Sequence, residues 1–162
     1  VIFMVPLGLS TATAVQVGRA YGARDSKGMS RAGWVAFGVT AAFSLLVTVL
    51  LYPLRHLVAG AYTTDPAALT LIAPALALSC LFLIPDAVQV VCAQALRARG
   101  EVWIPTTTHM ISYALVMGPL AWWLALPMKL GVNGIVWSVI ITSFLAAGLL
   151  LGRYRMLDLK ER

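Results

Sequence analysis

Long apolar runs separated by short charged junctions dominate the chain. Four stretches carry no Asp, Glu, Lys or Arg: residues 32–54, 66–85, 102–128 and 130–152, of 23, 20, 27 and 23 residues. About 20 helical residues cross the ~30 Å hydrocarbon core of a bilayer, so each stretch is long enough to span it. A further apolar run, residues 2–17, precedes Gly18-Arg19 and contains Ser10, Thr11, Thr13 and Gln16. It is too polar to face lipid all round. Within the runs apolar positions are continuous rather than alternating, which predicts helices and not barrel strands. The expected spans are near residues 2–17, 32–54, 67–96, 103–128 and 132–152. The pattern thus predicts an all-α membrane protein, a polytopic bundle of about five transmembrane helices.

Composition agrees, with 60% apolar and 11% charged residues against about 25% charged in soluble domains. The net charge of +6 changes the picture only through its placement. Arg19, Arg24, Lys27 and Arg31 follow the first span, Arg97 and Arg99 the third, and Arg153, Arg155, Lys160 and Arg162 the fifth. Arg55 and Lys129 alone fall on the opposite side. The ten mark the cytoplasm, so a multi-pass cell-membrane protein (inner membrane in a Gram-negative cell) with a cytoplasmic C-terminus is expected. No basic and aromatic patch lies apart from the spans, so no nucleic-acid partner is expected. An exterior start with neither initiator Met nor signal peptide leads us to expect a piece of a longer protein. Five such helices expose small and polar faces, so poor folding alone is expected. Trp34, Trp103 and Tyr154 fall near the inner span ends, and Tyr52, Trp122 and Trp123 near the outer ends, as interfacial aromatics do. His56, beside Arg55, reads as an outer interface residue. Cys80 and Cys92 are about 120° apart around one helix, so a disulfide or metal pair is not expected.

Asp86 stands out. It lies eleven residues before Arg97, roughly 16 Å above the inner end of its helix and so near mid-membrane. A carboxylate there costs about 2.5–3.5 kcal/mol on insertion scales, and intramembrane acids are functional by default. Such a group can exchange a proton for a metal cation or a cationic substrate; a structural aspartate bonded to a neighbouring helix is the alternative. Gln89 shares its face at i+3. Pro85 cannot donate to the carbonyl of Leu81, so carboxylate, amide and freed carbonyl together suit a hard cation such as sodium. Pro74 and Pro85 could equally do no more than shape packing.

The first span offers small residues (Gly8, Ala12, Gly18, Gly22) for close helix approach and hydroxyls for bonds across it. Tight packing is one reading. The other is a polar wall of a substrate cavity, with Gln16, Thr13 and, from the fourth span, Tyr113 as candidates. Gly148 and Gly152 repeat the small-residue spacing and read as packing. His109 could titrate near neutral pH but has no acidic or histidine partner one turn away. Tyr113 shares its face, and Pro119 is expected to kink this helix by freeing the Leu115 carbonyl. Catalytic and nucleotide-binding fingerprints are missing from the sequence, so no enzyme and no cofactor are expected.

Three stretches together resemble the multidrug and toxic compound extrusion (MATE) family: VPLGLSTATAVQVGRAYGA (5–23), PDAVQVVCAQALRARG (85–100), and SYALVMGPLAWWLA (112–125) followed by LGVNGIVWS (130–138). The resemblance covers nearly the whole chain and implies helices eight to twelve of a twelve-helix, two-lobe transporter. By that reading residues 1–162 form the C-terminal lobe, with the N-terminal lobe and seventh helix missing. It implies export of cationic or amphipathic drugs and toxic compounds, in exchange for sodium or protons, by alternating access between lobes. It also places Asp86 at an acidic position of the tenth helix that in one bacterial branch belongs to the cation site. The sequence departs from the family pattern at Ala98-Arg99-Gly100, where Gly usually follows Leu-Arg. It departs again at Phe82, where some members carry a Tyr four residues before the aspartate.

The leading expectation is therefore a cation-coupled antiporter, with drug, membrane lipid and the missing lobe as its partners. A lipid-linked oligosaccharide flippase of the same superfamily is the first alternative, although no Arg or Lys lies mid-span. A non-transport membrane subunit or embedded enzyme is the second.

Overall fold

The computed structural model describes residues 4–62, 66–126, 128 and 131–161, without the side chains of residues 56, 62, 66–71 and 73. The readings placed on His56 and Lys129 lie outside the described residues. The first helix, α1 (Met4–Gly22), turns through residues 23–25 into α2 (Ser26–Tyr62). Arg24 takes a left-handed φ of 54° in that turn, and the Asp25 carboxylate accepts the Gly28 N–H at 2.9 Å, capping α2. Next comes α3 (Pro66–Ala98), which runs unbroken through Pro74 and Pro85. A left-handed Gly100, φ 85°, then leads into α4 (Trp103–Met110), a π-helical segment (Ile111–Met117) and α5 (Gly118–Ala125). The last helix is α6 (Gly131–Lys160).

Among the described residues three helices are long and apolar enough to cross a membrane: Ser26–Arg55, Pro74–Ala98 and Gly131–Lys160. The span expected over 103–128 is present as α4, the π segment and α5, of 8, 7 and 8 residues. Pro119 stands at the second position of α5, just past the π segment. It has no N–H, and in α-helical register its ring would strike the Leu115 carbonyl. The wider i→i+5 register of a π segment sits directly ahead of Gly118-Pro119. The final helix runs eight residues past the expected boundary at 152, where ion pairs hold its charged end.

The central helix is α3, which packs on α1, α2 and α6, while α6 also packs on α5 and the π segment. Val17, Phe37, Val91, Cys92, Leu96, Leu150 and Tyr154 form the core. Trp34, Phe37 and Tyr154 meet edge to face, with centroids 5.1–6.3 Å apart. Tyr154 is thus not an interfacial aromatic: it is fully buried, and its hydroxyl donates to the Met29 carbonyl at 2.8 Å. Leu45, Leu46, Val49 and Leu50 of α2 point outward, as a lipid-facing helix requires. Cys80 and Cys92 are both free and buried.

The expected small-residue contacts fall elsewhere. A Cβ at Gly8, Gly18, Gly22, Gly148 or Gly152 would meet nothing within 4 Å among the described residues. At Gly134 it would lie 2.8 Å from the Leu124 backbone, because α5 and α6 touch there. Gly134→Ala is therefore expected to destabilise by about 1–3 kcal/mol, which thermal unfolding of the complete protein in detergent checks.

Candidate functional site

Asp86 is half-buried in the middle of α3, directly after Pro85. One turn on, Gln89 is only 2% exposed. Its amide nitrogen donates to Asp86 Oδ1 at 2.8 Å and to the Tyr113 hydroxyl at 2.6 Å. Both amide hydrogens are thereby committed, while the buried Gln89 Oε1 has no partner among the described residues. The Tyr113 hydroxyl, accepting from Gln89, keeps its own hydrogen to donate. Tyr113 stands in the π segment, with the His109 ring one turn before it at a centroid distance of 6.1 Å. His109 is also within electrostatic range of Asp86.

The expected pair Asp86 and Gln89 therefore meets, and Tyr113 joins it from 24 residues away. The other sequence candidates lie apart. Leu81 turns a half-exposed side chain outward, one turn before the proline that deprives its carbonyl of a helical donor. Gln16 and Thr13 line a separate groove between α1 and α2. Thr13 is buried there, and its hydroxyl donates to the Leu9 carbonyl at 2.6 Å, so it presents its methyl face.

The Asp86 cluster offers one carboxylate with neutral oxygens at hand. Among the described residues no group of three or more His, Cys, Asp or Glu could hold a metal ion. A charge at Asp86 can thus be balanced by a proton, or by a hard cation that accepts carboxylate, amide and phenol oxygens. Sequence reasoning missed a set of buried hydroxyls: Ser112 of the π segment and Thr142 and Ser143 of α6 are fully buried, and their hydroxyls have no partner among the described residues. Thr142 and Ser143 are adjacent and Ser112 lies on another element, so no spacing in the sequence sets them apart from the scattered hydroxyls of any apolar helix.

A second polar cluster closes the other end of the bundle. Arg99 is 4% exposed, bonded to Asp158 at 2.7 Å and Glu161 at 2.7 Å, and lies 4.6 Å over the Tyr154 ring. Ser30 and the Trp34 indole N–H both donate to Asp158 Oδ2 at 2.8 Å. Burial, the largest single influence, would lower the Arg99 pKa, but the bonded Asp158 carboxylate together with Tyr154 and Glu161 holds it above its ordinary value. The spacing Tyr154, Asp158, Glu161 on one helical face was the available signal for this cluster.

Nearby, Arg153 pairs with Glu101. That hydrogen bond holds the Glu101 carboxyl below its usual pKa. A depressed carboxylate contributes stability above its unfolded pKa, about 4.3, and loses it as pH falls through the lower folded value. Unfolding midpoints measured from pH 6 downward should show the wild type losing stability more steeply than Glu101→Gln below about pH 4.3. At neutral pH the two should differ by about 1 kcal/mol or less, as for a partly exposed pair.

Helices able to cross a membrane, enclosing a carboxylate, an amide and a phenol, define an α-helical membrane protein. The family model described as MatE matches residues 1–123, and the chain belongs to that family. It is 70% identical over 162 residues to a "Probable multidrug resistance protein NorM" of Caulobacter vibrioides, covering all of this chain and 34% of that protein. It is 37% identical over 161 residues to a protein of the same description from Bradyrhizobium diazoefficiens, covering 97% of this chain and 34% of that one. The crystal structure of the eukaryotic MATE transporter AtDTX14 superposes with a TM-score of 0.87 at 21% identity, covering 99% of this chain and 37% of that one, a likeness of fold. The chain spans about a third of the length of the curated relatives it matches.

Proposed function

We propose that this chain is the C-terminal-lobe part of a multidrug efflux transporter, with Asp86 as its cation-coupling group. The observation that carries this reading is the bonded Asp86–Gln89–Tyr113 cluster inside an apolar helix of a MatE-family chain. The name borne by the 70% identical relative, a probable multidrug resistance protein, supports drugs as the substrate class; their cationic or amphipathic character is part of this proposal. The Arg99 and Arg153 ion pairs join the α3–α4 junction to the end of α6, and the Ser30 and Tyr154 bonds join the start of α2 to it. That common end carries most of the basic residues, which supports a cytoplasmic C-terminus.

The chemistry follows from the Gln89 amide. With Asp86 charged, both Gln89 N–H bonds point at oxygen acceptors. Once Asp86 is protonated it becomes a donor. The amide then does better turned over, with Oε1 accepting from Asp86 and from Tyr113. A sodium ion would make a similar demand, drawing Oε1 toward Asp86. Either event shifts the π segment through Tyr113, so the ion binds two arrangements of α3 and the π segment with different affinity, as coupling requires. Placement of Gln89 and the Leu81 carbonyl as further cation ligands belongs to this proposal.

The test is efflux of a cationic dye by the complete transporter in proteoliposomes, under an imposed sodium gradient and then an imposed proton gradient. Transport driven by one of them is expected and names the ion. Transport under neither overturns the coupling reading.

A further inference from the structure

We propose that the α1–α2 groove and the basic cavity beside it form a binding site for an anionic phospholipid, with the headgroup at Lys27 and Arg31 and an acyl chain along the groove. The site does not depend on Asp86 or on ion coupling.

Among the described residues, the end of the bundle bearing the α1–α2 turn, the α3–α4 junction and the end of α6 holds nine Lys and Arg side chains against four carboxylates. Each carboxylate has an internal partner. Asp25 caps α2, Glu101 pairs with Arg153, and Asp158 and Glu161 both bond Arg99. Lys27 and Arg31 pair with no carboxylate among the described residues. They line a cavity of about 530 Å³ together with Ser26 and Ser30, with Asp158 and Glu161 at its wall. The lining carries two cations and two carboxylates; both carboxylates are already bonded to Arg99, which is buried and not itself part of the lining, so Lys27 and Arg31 are the charges left to meet an anion.

Arg31 also lines the neighbouring groove, of about 410 Å³. The groove's deep end is apolar, formed by Leu9, Val35 and Val39, while Gln16, Gly28 and Arg31 stand nearer the turn. Because α1 and α2 run antiparallel through residues 23–25, polarity falls steadily away from the turn. A basic head cavity joined to an apolar groove by one arginine matches an anionic headgroup and its chain. A cationic drug would meet Lys27 and Arg31 with like charge. The groove is therefore assigned to lipid, and Gln16 and Thr13 become lipid-facing rather than drug-facing.

Native mass spectrometry of the complete transporter in non-ionic detergent tests this, with phosphatidylglycerol and phosphatidylcholine of identical chains as probes. Preferential retention of phosphatidylglycerol is expected. Lys27→Gln/Arg31→Gln should weaken it about thirtyfold, from about 1 kcal/mol for each basic residue near an anionic lipid surface. Arg19→Gln/Arg155→Gln removes the same charge outside both cavities and should leave retention near wild type. Val35→Trp, at an exposed groove position, should lower retention with the charges intact. The proposal is overturned if the two charge variants lose retention equally, if both lipids are held alike, or if Val35→Trp has no effect. Displacement of the lipid by inorganic phosphate alone would also overturn it, since the site would then recognise a free anion.

Discussion

Asp86→Asn should reduce gradient-driven efflux to the level of protein-free liposomes while the complete transporter still inserts and binds drug. Asparagine keeps the size of the side chain and an acceptor for the Gln89 N–H, now 2.8 Å from Asp86 Oδ1. It removes the only acidic charge between residues 66 and 100, so the cluster has no carboxylate left to alternate between a bound and a released cation. The neighbours should give graded losses. Gln89→Leu deletes the two bonds that orient Asp86 and Tyr113, worth about ten- to hundredfold in affinity where such bonds orient an ion ligand, and with them the Oε1 proposed as a ligand in its own right. Tyr113→Phe removes one acceptor and should do less. If Asp86 were a structural residue, Asp86→Asn would lower yield or unfolding temperature before it touched coupling, and efflux per folded molecule would survive.

The largest effect on stability is expected at Arg99. Arg99→Met leaves Asp158 charged and buried, with only Ser30 and Trp34 donating to it. Removing one partner of a buried ion pair costs about 3–5 kcal/mol, so the unfolding midpoint in detergent should fall well below that of wild type. Adding Asp158→Asn should recover part of the loss, because asparagine still accepts from Ser30 and Trp34 but carries no unpaired charge. A double variant no better than Arg99→Met would mean that the guanidinium stack on Tyr154, not the charge pairing, is what holds this end together.

Much of the architecture is legible in the sequence because charge is so costly in hydrocarbon. The gaps between Lys, Arg, Asp and Glu mark the long helices directly, and Asp86 declares itself by breaking that rule. Gln89 follows from helical spacing alone. Tyr113 does not: its meeting with Gln89 depends on how α4 and the π segment pack, which no local pattern encodes. The π register stands beside Pro119, but Pro74 and Pro85 leave α3 unbroken, so a proline in the sequence does not by itself predict it. Counting basic residues by side treats them as interchangeable, so Arg99 looked like one more inner-face charge when it is the buried centre of an ion cluster. Tyr154 misled for the same reason, since an aromatic at the end of an apolar run belongs to the interface unless a partner such as the Met29 carbonyl draws it inward. Glycine spacing named the open positions and not the crowded Gly134, because closeness is a property of two helices and spacing of one.

The most direct test of the coupling role is to add a cationic drug to the purified transporter in weakly buffered detergent and measure the ion released, with a pH indicator and a sodium-selective electrode. Wild type should release protons or sodium in proportion to the drug bound, and Asp86→Asn should bind drug without release. Equal release from both proteins would place the exchanging cation elsewhere and contradict the role given to Asp86.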